Sequence, residues 1–582
     1  MQKEPPILYT LGINAAFHDS AACLVRDGLV LAAAEEERFT RIKHGKRPIP
    51  FSAYELPHHA IHYCLQAAGL CLRDVDHVAY AYDPLIRLGD HAQDTALPLP
   101  LQPSAHPESG EWESVWEPLF LSSIMNAPGH LADGAPHHLQ ARFAGATSAG
   151  PFRWHFVSHH RAHAASAFFP SPFEEAAVLT LDGRGEQATT TYHHGSGYQL
   201  NDVGQVTMPH SLGLLYEDLT TYLGFLHSSD EYKVMALASY GKPRFADEFR
   251  RMIRLDTSGR YEIEPARLTE RFGPARPRGG PMEEKHYDLA RSLQTVLEET
   301  ALALATWLHD RTGADQLCMA GGVALNCVMN AYLRDHAPYR SVWVQPAAGD
   351  AGTALGAALL IDAQERGARG SRAYRMDHAL LGPSFTDAEI ESYLRRTKIT
   401  YRRMQNVAEQ TAQLLSEDRI VGWFQGRMEF GPRALGARSI LASPLHATMQ
   451  ERLNELKDRE DFRPVAPAVL EESAADWFEG AEQPSPFMLF TFQIVPHQAY
   501  RIPAVRHVDG TARVQTVSRE HQPLYYELLK AFERQSGVPV LINTSFNTRG
   551  APIVCTPRDA MESFYTSPLD DLVLGPFLLS KR

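Results

Sequence analysis

His159 and His163 stand four positions apart in His159-His-Arg-Ala-His163. On a helix, residues i and i+4 lie on one face about 6 Å apart, so both imidazoles can reach a single ion. His160 is rotated about 100° from that face and is not expected to join them. Such a pair can also be two histidines in ordinary core or surface roles, so further ligands are needed. Asp182 closes an apolar stretch just before Gly-Arg-Gly, and Asp350 lies in the turn Pro346-Ala-Ala-Gly-Asp-Ala-Gly352 ahead of a helix. Two imidazoles with one or two carboxylates leave open positions, the arrangement of a reactive site; they suit iron(II), zinc or manganese alike.

Cys318-Met-Ala-Gly-Gly-Val-Ala-Leu-Asn326 reads as a strand, a double-glycine turn and a helix start, where a backbone can come close to a nucleotide. Pro209-His-Ser-Leu-Gly and Glu231-Tyr-Lys-Val-Met-Ala are weaker contributors to such a cleft. The last third of the chain is denser in cations at turns and strand ends. Arg427 and Arg433 flank a Gly-Pro turn, Lys457, Arg459 and Arg463 follow, Arg513 lies in Thr-Ala-Arg-Val, and Asn543-Thr-Ser-Phe-Asn547 closes a strand. Guanidinium forks and a compact ammonium suit phosphate and carboxylate oxygens. Surface ion pairs with neighbouring Asp and Glu are the alternative for part of this set. The basic loop from Arg38 to Arg47 is read either as a solvated face or as a contact for a small anion.

The elements that must hold these residues are α/β. Strands are expected at Ile7–Ile13, Ala21–Val25 and Leu29–Ala34, the last two joined by the hairpin signal Asp27-Gly28. A second opening of the same kind runs through Ala177–Leu181 and Ala188–His193, so two related α/β halves of the actin and sugar-kinase plan are expected. Helical periodicity appears at Tyr287–Asp310 and Met449–Lys457, the Ala- and Gly-rich stretch Ala351–Glu365 reads as a closely packed helix, and a helix restarts at Asp387. The polar stretch around 365–385 marks the main boundary. Residues 83–152, rich in Pro, His and Gly, look like an insertion or lid.

At 582 residues the chain exceeds a single core. A hydrophobic share of 44% and a charged share of 21% are those of a globular protein, and apolar runs such as Ala301–Leu308 are far shorter than the roughly 20 residues of a membrane span. The first residues lack the pattern of a secretory leader. Six cysteines without CxxC spacing suit a reducing cytoplasm and exclude a thiolate zinc ribbon or a disulfide scaffold. A net charge of −13 argues against long contacts with nucleic-acid phosphates.

Taken together, the motifs resemble one family over nearly the full length: the O-carbamoyltransferases typified by TobZ, CmcH and NodU. The match lies in Phe17-His-Asp-Ser-Ala21, Glu35 to His44, His159 to Phe168, Gly321-Gly-Val-Ala-Leu-Asn326, Arg427 to Gly436 and Asn543 to Asn547. The resemblance implies a TsaD-like N-terminal domain of the actin-type ATPase fold (residues 1–370), a linker (371–400) and an α/β YrdC-like C-terminal domain (401–582). It implies that carbamoyl phosphate and ATP become carbamoyl adenylate in the second domain, and that the carbamoyl group then passes to a hydroxyl of a small-molecule acceptor, such as a natural product or antibiotic, in the first.

By that resemblance His159, His163, Asp182 and Asp350 match the metal site, iron(II) foremost with zinc or manganese as options, and magnesium accompanies ATP. Gly321, Gly322 and Asn326 match the nucleotide loop. His18 matches the histidine that assists transfer; its alternative is a cap or turn partner for Asp19. Lys457, Arg463, Arg513, Asn543 and Ser545 match the adenylate-forming pocket, with Arg433 beside them. No nucleic acid and no membrane are expected as partners, and the chain is expected to act as a monomer or homodimer. One departure is Ala236, where the family has Gly, which leaves the backbone near Lys233 open. The competing readings are a threonylcarbamoyl transferase acting on tRNA, a hydrogenase-maturation carbamoyltransferase, whose zinc-finger cysteines are missing here, and a non-enzymatic ATP-gated binding module.

Overall fold

The computed structural model describes residues 7–45, 56–88, 117–133, 152–367, 372, 374–548 and 550–581. Lys46 and Arg47 of the basic loop and most of the expected insertion lie outside the described residues; Glu117–Asp133 of that insertion is a helix. The chain divides into two compact units. One contains residues 1–208, 318–322 and 347–375, and the other contains 209–317, 323–346 and 376–582.

The first unit begins as the sequence suggests. Strands Tyr9–Asn14, Ala21–Arg26 and Leu29–Glu35 form an antiparallel meander. Asp27 and Gly28 take φ of 48° and 82°, the left-handed pair that a tight two-residue hairpin requires. His77–Tyr80 and Arg153–Phe156 then extend the sheet in parallel, giving the order third, second, first, fourth, fifth. The sheet that opens with Glu175–Leu181, Ala188–Ser196 and Gln199–Thr207 repeats that order as far as its fourth strand, Gln316–Ala320. Two sheets of one topology are the twofold α/β plan expected from the paired openings.

Between the site-bearing elements the packing is backbone to backbone. Helix Ala351–Arg366 lies against strand Tyr9–Asn14 and helix His159–Phe168. A Cβ on Gly12 would stand 1.9 Å from the carbonyl oxygen of Ala354, and one on Gly356 would stand 1.8 Å from that of Ala162. The small residues of both helices are thus a steric demand: larger side chains would part the elements that carry Asp350 and the two histidines.

In the second unit an eight-stranded mixed sheet runs Arg402–Arg403, Phe577–Ser580, Asp571–Leu574, Val421–Phe424, Arg438–Ala442, Val540–Ser545, Ala466–Leu470, Gln515–Val517. Helices Val407–Ser416 and Pro523–Ser536 pack together beside it, and Trp423, Ile440, Leu529 and Phe532 belong to its core. The helix restarting at Asp387 spans Asp387–Arg396 under a capping box of Thr386 and Glu389. The long helix expected at Tyr287–Asp310 runs Glu284–Thr312, and that at Met449–Lys457 runs Thr448–Leu456. Helix Glu231–Ala238 passes regularly through Ala236, so the residue that departs from the family pattern leaves the local backbone helical.

Candidate metal centre and cation pocket

Helix His159–Phe168 starts on the first histidine. Its start is fixed by Glu186, whose Oε1 accepts the backbone N–H of His159 at 2.9 Å and of Asp83 at 2.8 Å. One turn on, His163 brings its Nε2 to 3.1 Å from Nε2 of His159. Asp182, at the end of strand Glu175–Leu181, places Oδ2 3.4 Å from Nε2 of His159 and 3.9 Å from that of His163. Asp350, immediately before helix Ala351–Arg366, places Oδ1 3.5 and 3.6 Å from the same two nitrogens. All four residues are buried, and one ligand atom from each falls within 4.8 Å of every other.

These spacings fit a metal ion. With ligands about 2.1 Å from a cation, neighbours subtending 90° are about 3.0 Å apart and those subtending 109° about 3.4 Å apart. Two nitrogen lone pairs and two carboxylate oxygens converging in a buried space repel one another unless a proton or a cation lies among them. Burial alone would raise the Asp182 and Asp350 carboxyls, yet the imidazoles opposite hold both below the usual carboxylate range, Asp350 at about 2. Burial would lower His159, and the two carboxylates instead raise it. The donor set is N₂O₂, without thiolate, and suits iron(II), zinc or manganese.

Supporting contacts orient the set. Gly321 has φ of 96° and lies against the backbone of Leu181, and the N–H of Gly322 donates to Asp182 Oδ1 at 2.7 Å. The double glycine therefore positions a candidate metal ligand, while Asn326 caps helix Cys327–His336 by accepting from Met329 N at 3.0 Å. Phe17 meets the His159 ring edge-on at 5.2 Å. The next residue, His18, has its Nδ1 3.1 Å from Asp19 Oδ2. His160 stays outside the cluster as the helical rotation requires; burial pushes it down to about 3.

The second unit gathers cations. Lys457 is buried and donates to Ser545 O at 2.6 Å, Ser545 Oγ at 3.0 Å and Asn547 Oδ1 at 2.8 Å. Burial pushes its ammonium well below its ordinary value, with Arg459 and Arg463 adding to the effect. Arg433 and Arg459 are each driven down to about 9, first by burial and then by Arg513 and Arg463 respectively. Arg513 is lowered by burial and by Arg463. Guanidinium stays protonated at neutral pH, so these shifts express first the cost of burial and then that of crowding like charges. The carboxylate of Glu460 reaches this group 3.7 Å from Arg463 and is shared with Lys233 at 2.8 Å. Tyr232 lies under Arg463 at 4.6 Å. Arg433 Nε, Arg459 Nη2 and Asn543 Oδ1 are buried atoms without hydrogen-bond partners. Crowded cations with unpaired donors suit the oxygens of a multiply charged anion.

Two family profiles cover most of the chain: "Carbamoyltransferase N-terminus" matches residues 9–87 and 151–359, and "Carbamoyltransferase C-terminus" matches 412–581. Nodulation protein NolNO of Sinorhizobium fredii is 40% identical over 98% of this chain and 80% of its own length. The chain belongs to the carbamoyltransferase family. Protein sll1178 of Synechocystis sp. is 41% identical over 98% of this carbamoyltransferase and 97% of its own length. Nodulation protein NolO of Bradyrhizobium diazoefficiens is 40% identical over 73% of this chain and 79% of its own. Among solved structures, HypF of T. kodakarensis overlaps 63% of this chain and 49% of its own at 14% identity, with a TM-score of 0.32. The fold class rests on the sheets themselves.

Several residues of this carbamoyltransferase stand differently from their sequence reading. Arg38 of the basic loop is not presented to an anion: it is buried between Glu35 and Glu37 at 2.8 Å each. Arg427 is spent on the carbonyl oxygens of Leu381 and Gly382. Ser211 of Pro-His-Ser-Leu-Gly caps helix Leu212–Tyr222. Conversely Arg459, Tyr232 and Lys233 sit with the cations, and Glu186 anchors the helix of His159. Glu186 in Gly-Arg-Gly-Glu carries no spacing signal, whereas Arg459 stands beside Lys457 in the sequence as in the pocket. Among the described residues no helix is long and apolar enough to cross a membrane.

Proposed function

We propose that this carbamoyltransferase is an ATP-dependent O-carbamoyltransferase whose two chemical steps are divided between the cation pocket and the buried His–Asp cluster. The observation that carries the reading is the crowd of cations around Lys457, with unpaired donors on Arg433 and Arg459. Carbamoyl phosphate loses its phosphate to water there, and the carbamate oxygen attacks the α-phosphorus of ATP. Pyrophosphate leaves and carbamoyl adenylate remains. Lys457, Arg463 and Arg513 offset the charge developing on the phosphates, Arg433 and Arg459 extend the field, and Asn543 and Ser545 line the pocket.

The carbamoyl group then passes to an acceptor hydroxyl in the domain running to residue 370. The hydroxyl oxygen bonds to the carbamoyl carbon, the bond from that carbon to AMP breaks, and the hydroxyl proton goes to His18. Iron(II), zinc or manganese bound by His159, His163, Asp182 and Asp350 would supply a Lewis acid for the carbamoyl or phosphate oxygen. Gly321 and Gly322 hold Asp182 in line and line the nucleotide side, and Asn326 fixes the helix that follows. Magnesium accompanies ATP. The acceptor is a hydroxylated small molecule of the natural-product class, and the cytoplasm is the compartment.

Carbamoyl phosphate-dependent release of pyrophosphate from ATP tests the assignment without an acceptor. Arg463→Ala should lose at least a hundredfold in rate while the fold is retained; full turnover in that variant would refute the adenylation pocket.

A further inference from the structure

The turn between strands Tyr9–Asn14 and Ala21–Arg26 is more constrained than a connection needs to be. Buried Asn14 donates from Nδ2 to the carbonyl oxygens of His18 at 2.8 Å and Asp19 at 3.1 Å. Asp19 is held at φ of 45° and His44 at φ of 67°, left-handed conformations costing about 1 kcal/mol or more for non-glycine residues. In return one carboxylate meets two imidazoles. Asp19 Oδ2 lies 3.1 Å from Nδ1 of His18, and Oδ1 lies 2.8 Å from Nδ1 of His44. The two rings are tilted 39° to each other with centroids 4.1 Å apart, and the backbone N–H of His44 is tied to Glu37 Oε2 at 2.6 Å.

We infer that Asp19 is a positioning residue for carbamoyl transfer: it fixes the tautomer of His18, with His44 as a second strut on the same carboxylate. An ionised carboxylate only accepts, so both Nδ1 atoms donate and each ring's remaining lone pair is on Nε2. Burial would raise Asp19, but His18 and then His44 bring it well below its ordinary value, in accord with an acceptor-only role. The hydroxyl proton is then received at Nε2 of His18. His44 occupies the second carboxylate oxygen. The inference rests on the proposed role of His18 as base.

The experiment is carbethoxylation of the full-length protein by diethyl pyrocarbonate at pH 8, followed by peptide mass spectrometry. In Asp19→Asn one amide oxygen has to serve two N–H donors, so one ring must invert and its Nε2 lose nucleophilicity. The reaction of His18 or His44 should slow at least fivefold; both rates within twofold of the wild type would overturn the inference. His44→Asn should leave the His18 rate within twofold, since the carboxylate remains; a fivefold loss there would also overturn it. Should Asp19→Asn not fold, imidazole ¹⁵N spectra of the unsubstituted protein decide. Both rings protonated on Nδ1 support the clamp, and either protonated on Nε2 refutes it. A wild-type His18 that reacts a hundredfold slower than N-acetylhistidine refutes its role as base, a different failure from a mobile tautomer.

Discussion

Gly356→Ala adds one methyl group to the helix following Asp350, at the point where that helix meets the helix of His159 and His163. The new carbon would lie 1.8 Å from the carbonyl oxygen of Ala162 and 2.6 Å from the amide nitrogen of Ser166. A carbon–oxygen contact is comfortable near about 3.3 Å, so the two backbones must part by about 1.5 Å. The obstacle is main chain on both sides, and no side-chain rotation relieves it. Overpacking of this kind costs typically about 1–3 kcal/mol. Metal coordination tolerates far less displacement than the fold: ligand distances hold to within about 0.2 Å. Asp350 moves with one helix and the imidazoles with the other, so Gly356→Ala should lose metal affinity by at least tenfold while still melting cooperatively, several degrees below the parent. Equilibrium dialysis against iron(II), zinc and manganese, paired with a thermal melt, reads both quantities. A variant with parental affinity and melting temperature would refute the claim that this backbone contact sets the spacing of the cluster.

Glu186→Ala should cost about 2–6 kcal/mol in denaturant unfolding, because it strands a buried and a part-buried amide N–H worth about 1–3 kcal/mol each; Glu186→Gln, which retains an acceptor oxygen, should cost clearly less. Inorganic pyrophosphate should raise the melting temperature of the free protein, contributing about 2.7 kcal/mol at a hundredfold excess over its dissociation constant, and Arg459→Gln should weaken that effect; an unmoved melting curve would contradict the anion pocket. Folded Lys457 releases its proton at lower pH than an unfolded lysine, so between those two values the folded state carries fewer protons and gains stability as pH rises. Pyrophosphate favours the charged ammonium, so binding in that window should take up protons, measured by calorimetry in buffers of different ionisation enthalpy.

What could be read from the sequence depended on whether a residue's partner was local. His159 and His163 are four apart on one helix, so their shared face follows from helical pitch alone. The twofold sheet plan was legible because Asp27-Gly28 and the two apolar openings are short-range patterns. Helix ends fell within a few residues of the 3.6-residue periodicity; Thr386 with Glu389 caps one start and Gly313 ends another. The assignments that went astray turned on burial, or on partners that spacing does not name. Arg38 and Arg427 look as free as Arg459 in the sequence, yet burial commits the first to two glutamates and the second to two carbonyl oxygens. Glu186 is an unremarkable loop acid until its oxygen is found on an amide more than a hundred positions away.

The close approach at Gly356 also has a consequence for biosynthesis. The imidazoles and Asp182 leave the ribosome early, but Asp350 follows about 190 residues behind His159, roughly 10–40 s at typical synthesis rates. Through that interval the nascent chain holds three of the four candidate ligands without the carboxylate and helix that close the set. A cation captured then would meet a looser, less selective site. For any metal this cluster holds, the ion abundant when residue 350 arrives would then count as well as the finished geometry.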